Sequence, residues 1–260
     1  MVQTRDLLTA LALTAASALA VTLLLLALGP DWSVYAPATC TATRCFCELP
    51  RIGDLVLQPA NSWSSYGYAF VGMLMIVLSR RPGWSSGFDR EAAALFGLTA
   101  IFVGHGSMLL HATLTLWGQF FDVAGMYFTS AFMLVAALAR WRRWPRRQAI
   151  VCYLGLLAVL LALLYQIPEA RRWLFGLVLV AAIAVELGLA RPQRPGVRSG
   201  YYFAGMGLQA LAFAIWNLDQ HGLVCQPQSR IQGHAVWHLL GAAAMWLSFR
   251  YYYSEQTNPA

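Results

Sequence analysis

The stretch GHGSMLLHATLTLWGQFFDVAG, residues 104–125, ends one long apolar segment and leads into the next. It places Ser107 and His111 one helical turn apart, and Asp122 follows soon after them. Polar and ionisable groups inside a membrane segment are energetically costly and mark functional positions. We therefore interpret this stretch as the junction of two membrane helices and as part of a functional site.

The composition places the whole chain in a membrane. Of its 260 residues, 59% are hydrophobic and 11% are charged, against about 25% charged residues in a soluble domain. The sequence contains no lysine, so arginine supplies all of the formal charge of +7. In a membrane protein arginine marks cytoplasmic loops, so the expected partners are the bilayer and its lipids, not a nucleic acid.

Eight stretches are long and apolar enough to cross a bilayer, which requires about 17 to 25 residues. They are residues 7–29, 61–79, 91–112, 119–139, 149–166, 172–190, 201–218 and 233–252. The first has an apolar core longer than that of a signal peptide, so we interpret it as a retained anchor.

The predicted fold is therefore all-α and integral to the membrane, a seven-helix transmembrane bundle with one extra N-terminal transmembrane helix. We expect four parts: an anchor (1–30), an outer cysteine-containing loop (31–60), a seven-helix bundle (61–252) and a tail (253–260).

The arginine distribution predicts the orientation. With a cytoplasmic N-terminus, 13 arginines fall in inner segments and 5 in outer segments, as the positive-inside rule requires. The runs RWRRWPRR and RPQRPGVR are then stop signals. We expect a multi-pass protein of a bacterial inner membrane, with both termini cytoplasmic and the site toward the periplasm.

The cysteines agree with this orientation. Cys40, Cys45, Cys47 and Cys225 lie in predicted outer segments, where an oxidising compartment permits two disulfides. Four cysteines allow three pairings. Cys152 lies near an inner helix end and is interpreted as a small core residue.

A second histidine motif is predicted at the same end of the bundle. In GHAVWHLLG, residues 233–241, His234 and His238 are four residues apart and share one helix face. The predicted topology brings these imidazoles to the outer depth of Ser107, His111 and Asp122. Three helices then supply one polar layer.

This set of residues is typical of zinc hydrolysis. Catalytic zinc sites use three protein ligands and a water, and zinc lowers the pKa of that water to about 7. Asp122 would take and relay the water's proton. Ser107 would orient the water or polarise a substrate carbonyl.

Other polar residues receive structural interpretations. His105 lies off the face of His111, and His221 lies in a polar outer loop. Glu186, near Arg191, predicts an ion pair at an inner helix end. Asp219 ends a span on the outer side, as a surface residue or as a partner of a ligand histidine.

Two non-hydrolytic interpretations remain open. A receptor-like or structural zinc protein would more often supply a fourth protein ligand. A haem protein needs axial ligands on opposite sides of one iron, which three histidines and an acid fit poorly.

Three motifs resemble the alkaline ceramidase family, part of the CREST group of seven-helix membrane hydrolases that includes the adiponectin and progestin receptors. SMLLHATLTLWGQFFDVAG resembles the family's S-x3-H followed by an aspartate eleven residues after the histidine. HAVWHLL resembles its final H-x3-H helix. CELP…PANSWSSYGY resembles its Cys-Glu loop leading into an Asn-Ser/Thr first core helix. The resemblance covers about residues 45–252.

The resemblance implies the roles of particular residues. His111, His234 and His238 would bind catalytic Zn2+, with Asp122 assisting the zinc water and Ser107 as a further catalytic group. The reaction would split the amide bond of a ceramide-like lipid into a fatty acid and a sphingoid base. The family's disulfide implies Cys47 with Cys225, leaving Cys40 for Cys45, and Asn61 matches a polar residue of its first core helix.

The sequence also departs from the family. The alkaline ceramidases carry an N-terminal Ca2+ site, of which only Glu48 is clearly matched; Phe46, Pro50 and Gln58 stand where other ligands or an acid would be expected. The loop between Cys225 and His234 is shorter, and span 7–29 is extra. Another acyl lipid, either a phospholipid or an N-acyl lipid, is therefore the alternative substrate, and a receptor-like zinc-binding protein without turnover is the alternative function.

Overall fold

The structure is a computed structural model that describes residues 2–43, 45–190 and 197–255. Over these residues it contains helices and no β-strand. The helices are α1 (Thr4–Leu28), α2 (Pro59–Ser64), α3 (Tyr66–Ser79), α4 (Arg90–Thr113), α5 (Leu116–Arg142), α6 (Arg146–Gln166), α7 (Arg171–Val185), α8 (Ser199–Gln220) and α9 (Gly233–Ser254). A π-helical turn, Glu186–Ala190, continues α7.

Five helical segments in the described part of the chain are long and apolar enough to cross a membrane. They are Thr4–Leu28, Arg90–Thr113, Leu116–Arg142, Arg146–Gln166 and Pro168–Ala190. The all-helical membrane class is thus confirmed, whereas the exact seven-helix count stays a prediction. α9 is long enough to span, but its two histidines and the tyrosines at its end lower its hydropathy. It also continues into the predicted tail, of which residues 256–260 lie outside the described residues.

The extra N-terminal helix packs against the bundle. α1 contacts α3, and Asp6 near its start forms an ion pair with Arg81 just beyond the end of α3. Near its other end, Leu25 is buried in one apolar cluster with Met108 and Ala112 of α4. Both ends of α1 are therefore attached to the helices that follow it.

The predicted span 61–79 is interrupted, because α2 ends at Ser64 and α3 begins at Tyr66. The Asn61 carbonyl accepts hydrogen bonds from the Ser64 and Ser65 hydroxyls, both at 2.9 Å. The Ser65 amide instead bonds Ser62 O at 3.3 Å. Helices break where side chains enter the backbone ladder. The single helix expected here is therefore wrong, and α3 alone, with 14 residues, is too short to span.

A tight turn joins α4 to α5. Leu114 ends α4 in the left-handed conformation, with φ of 49°, and the Thr115 hydroxyl caps α5 by accepting from Gly118 N at 3.2 Å. α5 therefore begins at Leu116, three residues before the predicted start at 119. Asp122 therefore lies in the second turn of α5, whereas a start at residue 119 would place it in the first turn.

A glycine allows α4 and α5 to approach closely beside the site. A Cβ on Gly106 would overlap the carbonyl of Phe121 and would stand 2.9 Å from Asp122 N. Only glycine leaves this space. The crossing brings Ser107, the residue after Gly106, next to Asp122 on the neighbouring helix.

The segment before α2 covers this end of the bundle; we call residues 31–58 the cysteine loop. Its Gln58 and Leu57 amides donate to His111 O at 3.0 Å and to Ala112 O at 2.9 Å. Its Ala38 amide donates to Leu114 O at 2.8 Å. These bonds satisfy the carbonyls left free where α4 ends, so the loop is fixed to the helix that carries His111.

The opposite end of the bundle is held by buried charges. Arg140 of α5 pairs with Glu255 at 2.6 Å and with Glu186 at 3.5 Å. Glu186 also accepts from the Tyr251 hydroxyl at 2.9 Å. Its expected partner, Arg191, lies outside the described residues, as do most of the predicted arginine stop signals after α7.

Candidate metal centre

Three histidines from two helices meet at the end of the bundle under the cysteine loop. His111 lies in the last turn of α4, and His234 and His238 lie in the first two turns of α9. All three are buried, and one ring nitrogen from each lies within 4.8 Å of the others. We call these residues the histidine triad.

The partners of two imidazoles define which ring nitrogen carries hydrogen. His111 Nδ1 lies 3.0 Å from Gln58 Oε1, and His238 Nδ1 lies 3.1 Å from Asn61 O. A carbonyl oxygen can only accept, so each Nδ1 donates and each Nε2 keeps a lone pair. The Ser64 hydroxyl also lies 2.9 Å from His238 Nδ1 and helps to hold the ring in this orientation.

The arrangement of the three rings fits a zinc ion. His234 Nε2 lies 3.1 Å from His111 Nε2, and His234 Nδ1 is buried without a hydrogen-bond partner in the described part of the chain. Converging, desolvated imidazole nitrogens are costly unless a shared proton or a cation compensates them. Neutral imidazoles with lone pairs toward one point are preferred zinc ligands.

Ser107 and Asp122 lie directly beside the triad. The Ser107 hydroxyl is 3.1 Å from His238 Nε2, and the Asp122 carboxyl group lies close enough to Ser107 to interact with it. Ser107 is buried, whereas Asp122 is half-buried. The Ser107 hydroxyl of α4 and the Asp122 carboxyl group of α5 therefore lie on the same side of the triad.

Comparison with known families identifies the chain. A family model described as Ceramidase matches residues 39–258, which is well over half of the sequence. The chain belongs to the ceramidase family. Family membership supports a ceramide-hydrolysing membrane enzyme, an amidohydrolase with a lipid substrate such as ceramide, and the match includes the triad, Ser107 and Asp122. α1 lies before the matched residues.

Glu48 lies where the family resemblance implies a calcium ligand. Its carboxylate accepts from Ala60 N at 2.8 Å and from Asn61 N at 2.9 Å. Burial raises the pKa of the Glu48 carboxyl, while these backbone bonds oppose the shift. Ca2+ takes six to eight oxygen ligands, and Glu48 is the one clear match among the positions that the family implies, with each of its oxygens also accepting a backbone hydrogen bond. The loop therefore does not fit the Ca2+ site that the family implies.

Four of the cysteines form two disulfides, Cys40–Cys45 and Cys47–Cys225. The second joins the cysteine loop to the connection between α8 and α9, across 178 residues of sequence. Cys152 is a free, half-buried thiol. The pairing is the one that the family resemblance implies.

The structure also places the remaining candidates. Asp219 is buried, accepts from Cys47 N at 3.4 Å, and lies against Gly233, the residue before His234. Asn61 meets the site through its backbone carbonyl, and its own buried amide has no hydrogen-bond partner among the described residues. His105 bonds Ile101 O within α4 at 2.9 Å, and His221 is exposed.

Two residues of the cysteine loop, Phe46 and Gln58, contact the triad and carry no role in the sequence prediction. The Phe46 ring lies against the rings of His111 and His234, with centroid separations of 4.4 and 4.3 Å. Gln58 holds His111. Both belong to the cysteine loop, where the sequence has no periodic pattern. The local sequence marks only the position of Gln58: proline is favoured at the first position of a helix, so Pro59 indicates that Gln58 is the residue before α2.

Proposed function

We propose that this chain is a zinc-dependent ceramidase that splits the amide bond of a ceramide-like lipid into a fatty acid and a sphingoid base. The observation that carries the proposal is the convergence of His111, His234 and His238 within 4.8 Å, with Ser107 and Asp122 beside them. Three protein nitrogens leave a position for a water, which is the pattern of catalytic zinc sites.

The proposed ligands are the Nε2 atoms of His111, His234 and His238. Bound there, Zn2+ would lower the pKa of a water to about 7 and polarise the amide carbonyl. Asp122 would accept a proton from the attacking water as the water oxygen bonds to the carbonyl carbon. The same carboxyl would then give the proton to the nitrogen as the C–N bond breaks, so that the acid and the amine leave with the atoms of one water added.

Ser107 is proposed to orient the reacting groups. Its hydroxyl lies 3.1 Å from His238 Nε2 and beside the Asp122 carboxyl group. From this position it can hold Asp122 toward the water or donate to the developing oxyanion. Asn61 and Asp219 are proposed to support the ligands, Asn61 through its carbonyl on His238 and Asp219 through its packing at the start of α9.

The proposal includes the placement of the protein in a bacterial inner membrane, with both termini cytoplasmic and the triad toward the periplasm. The arginine distribution and the two disulfides of the cysteine loop support this orientation. We further propose residues 61–252 as the catalytic bundle and residues 1–30 as an anchor.

Elemental analysis of the purified protein, paired with hydrolysis of a labelled ceramide, tests the function. We expect about one zinc per chain and turnover that a chelator abolishes and added zinc restores. A lipid-profile comparison of the wild type with His238→Ala separates ceramide from a phospholipid or another N-acyl lipid. A fully zinc-loaded protein that turns over none of these lipids would overturn the proposal in favour of a receptor-like role.

A further inference from the structure

Among the described residues of the cysteine loop, Gln58 is the one whose side chain hydrogen-bonds to the histidine triad. It is 1% exposed. Its amide oxygen lies 3.0 Å from His111 Nδ1, and its amide nitrogen donates to Glu48 O at 2.8 Å. A buried glutamine with both ends of its amide engaged has one orientation, so it is suited to positioning.

The orientation of this amide follows from Glu48. The Glu48 carbonyl can only accept, so the NH2 group of Gln58 must face it and the oxygen must face His111. His111 then has to carry its hydrogen on Nδ1. The lone pair on Nε2 is thereby held toward His234.

The Glu48 carbonyl is itself fixed in place. Its residue's carboxylate bonds the backbone of Ala60 and Asn61, and the preceding residue, Cys47, is in the disulfide to Cys225. Gln58 is further held by its backbone, which donates to His111 O at 3.0 Å. The loop therefore supplies a rigid acceptor to one ligand of the triad.

We propose that Gln58 is a positioning residue of the zinc centre, which fixes the tautomer and direction of His111 and couples the cysteine loop to metal affinity. This inference rests on the proposed function. Partners of the far ring nitrogen raise ligand basicity, and their loss typically weakens metal binding about 10- to 100-fold. The hydrogen bonds that define this role are made by residues of this chain.

The test compares Gln58→Met, which keeps the volume and removes the acceptor, with Gln58→Glu, which keeps an acceptor for His111 and loses the donor to Glu48. The matched control is Gln119→Met. Gln119 is also buried and also holds the cysteine loop, through Thr39 N and Oγ1 at 3.0 Å. Gln119 itself lies on α5, and it contacts the loop away from the rings of the triad.

The full-length chain in detergent is titrated with zinc alone against a competing chelator. We expect Gln58→Met to weaken zinc binding about 10- to 100-fold, with ceramide turnover recovered at higher zinc. Gln58→Glu should stay within about threefold of wild type, since a carboxylate also accepts from Nδ1. Gln119→Met should bind zinc as the wild type does.

Two results would overturn the inference while the proposed function stands: wild-type zinc affinity in folded Gln58→Met, or a tenfold or greater loss in Gln58→Glu. If Gln58→Met does not fold, the Gln58→Glu result decides. If the wild-type chain itself binds no zinc, the proposed function fails and the inference falls with it.

Discussion

The Nε2 atoms of His111 and His234 lie 3.1 Å apart, although 123 positions of sequence separate the two residues. Gln58 keeps the hydrogen of His111 on Nδ1, so His111 presents a lone pair at this contact. Without a cation, His234 has to turn an N–H toward it. A bound cation would instead accept both lone pairs, so neither buried nitrogen would need an N–H partner.

Replacing His234 by alanine should remove zinc and activity together, because two imidazoles cannot complete the three-ligand set. We expect less than about a tenth of the wild-type zinc content after dialysis, measured by elemental analysis, and no ceramide turnover. His105→Ala is the matched control, since His105 is a partly buried histidine of α4 outside the triad. A full zinc equivalent in His234→Ala would remove His234 from the ligand set.

Asp122→Asn should separate metal binding from catalysis. The amide keeps the size of the side chain and cannot take a proton, so we expect near-normal zinc and a loss of turnover of roughly 10²- to 10⁴-fold. Steady-state hydrolysis at saturating zinc measures the effect. Glu91→Gln, at an exposed position of α4, controls for loss of one negative charge. Turnover within a factor of three of wild type would exclude Asp122 as the general base.

Ser107→Ala tests the hydroxyl between His238 and Asp122. Zinc content should be retained, and the turnover number should fall by more than about tenfold because Asp122 loses the group that orients it. Ser130→Ala is a suitable control, since Ser130 is fully buried on α5 and bonds only its own helix at Tyr127 O in the described structure. Equal rates in the two variants would assign Ser107 to packing alone.

The sequence predicts the helical part of the site but not the part that the cysteine loop contributes. His234 and His238 share a helix face by their spacing, and Ser107 and His111 do the same, so local periodicity was sufficient to group them. The depth of both motifs followed from span lengths. The contacts of Gln58 and Phe46 with His111 depend on how an irregular loop folds over the end of α4, and no periodic pattern encodes that.

The helix boundaries show the same limit. The apolar pattern after Gln119 predicts a later start for α5 than the structure shows, because Thr115 caps the helix through a single hydroxyl bond. No proline marks the break at Ser65, since residues 60–79 contain none. That break exists because the Asn61 carbonyl is used by side chains, including His238 of α9.

Cys225→Ser tests the bond between the cysteine loop and the connection before α9. A long loop closed by a disulfide restricts the unfolded chain, so we expect a loss of roughly 2–5 kcal/mol in the free energy of unfolding. Thermal melting in detergent under non-reducing conditions measures it. Cys152→Ser, which removes the free thiol, should melt near the wild type. Titration of the unfolded, unreduced wild type should give one thiol, and five would rule out both disulfides.

Gly106→Ala tests whether the close crossing of α4 and α5 sets the reaction geometry. The new methyl group would overlap the Phe121 carbonyl, so the helices must separate, at a cost of about 1–3 kcal/mol for overpacking. Asp122 then moves away from Ser107, while the triad, which lies on α4 and α9, is left in place. We therefore expect a lower melting temperature and a lower turnover number with normal zinc content.

Gly155→Ala is the matched control for this change, because a Cβ at Gly155 meets no atom within 4 Å. Alanine is the better helix former by up to about 1 kcal/mol, so this variant should melt at or slightly above the wild-type temperature and keep full turnover. If Gly106→Ala behaves in the same way, the two helices do not approach as closely as the structure describes. The contact between Ser107 and Asp122 would then lose its structural basis, and Asp122 would have to reach the water by another path.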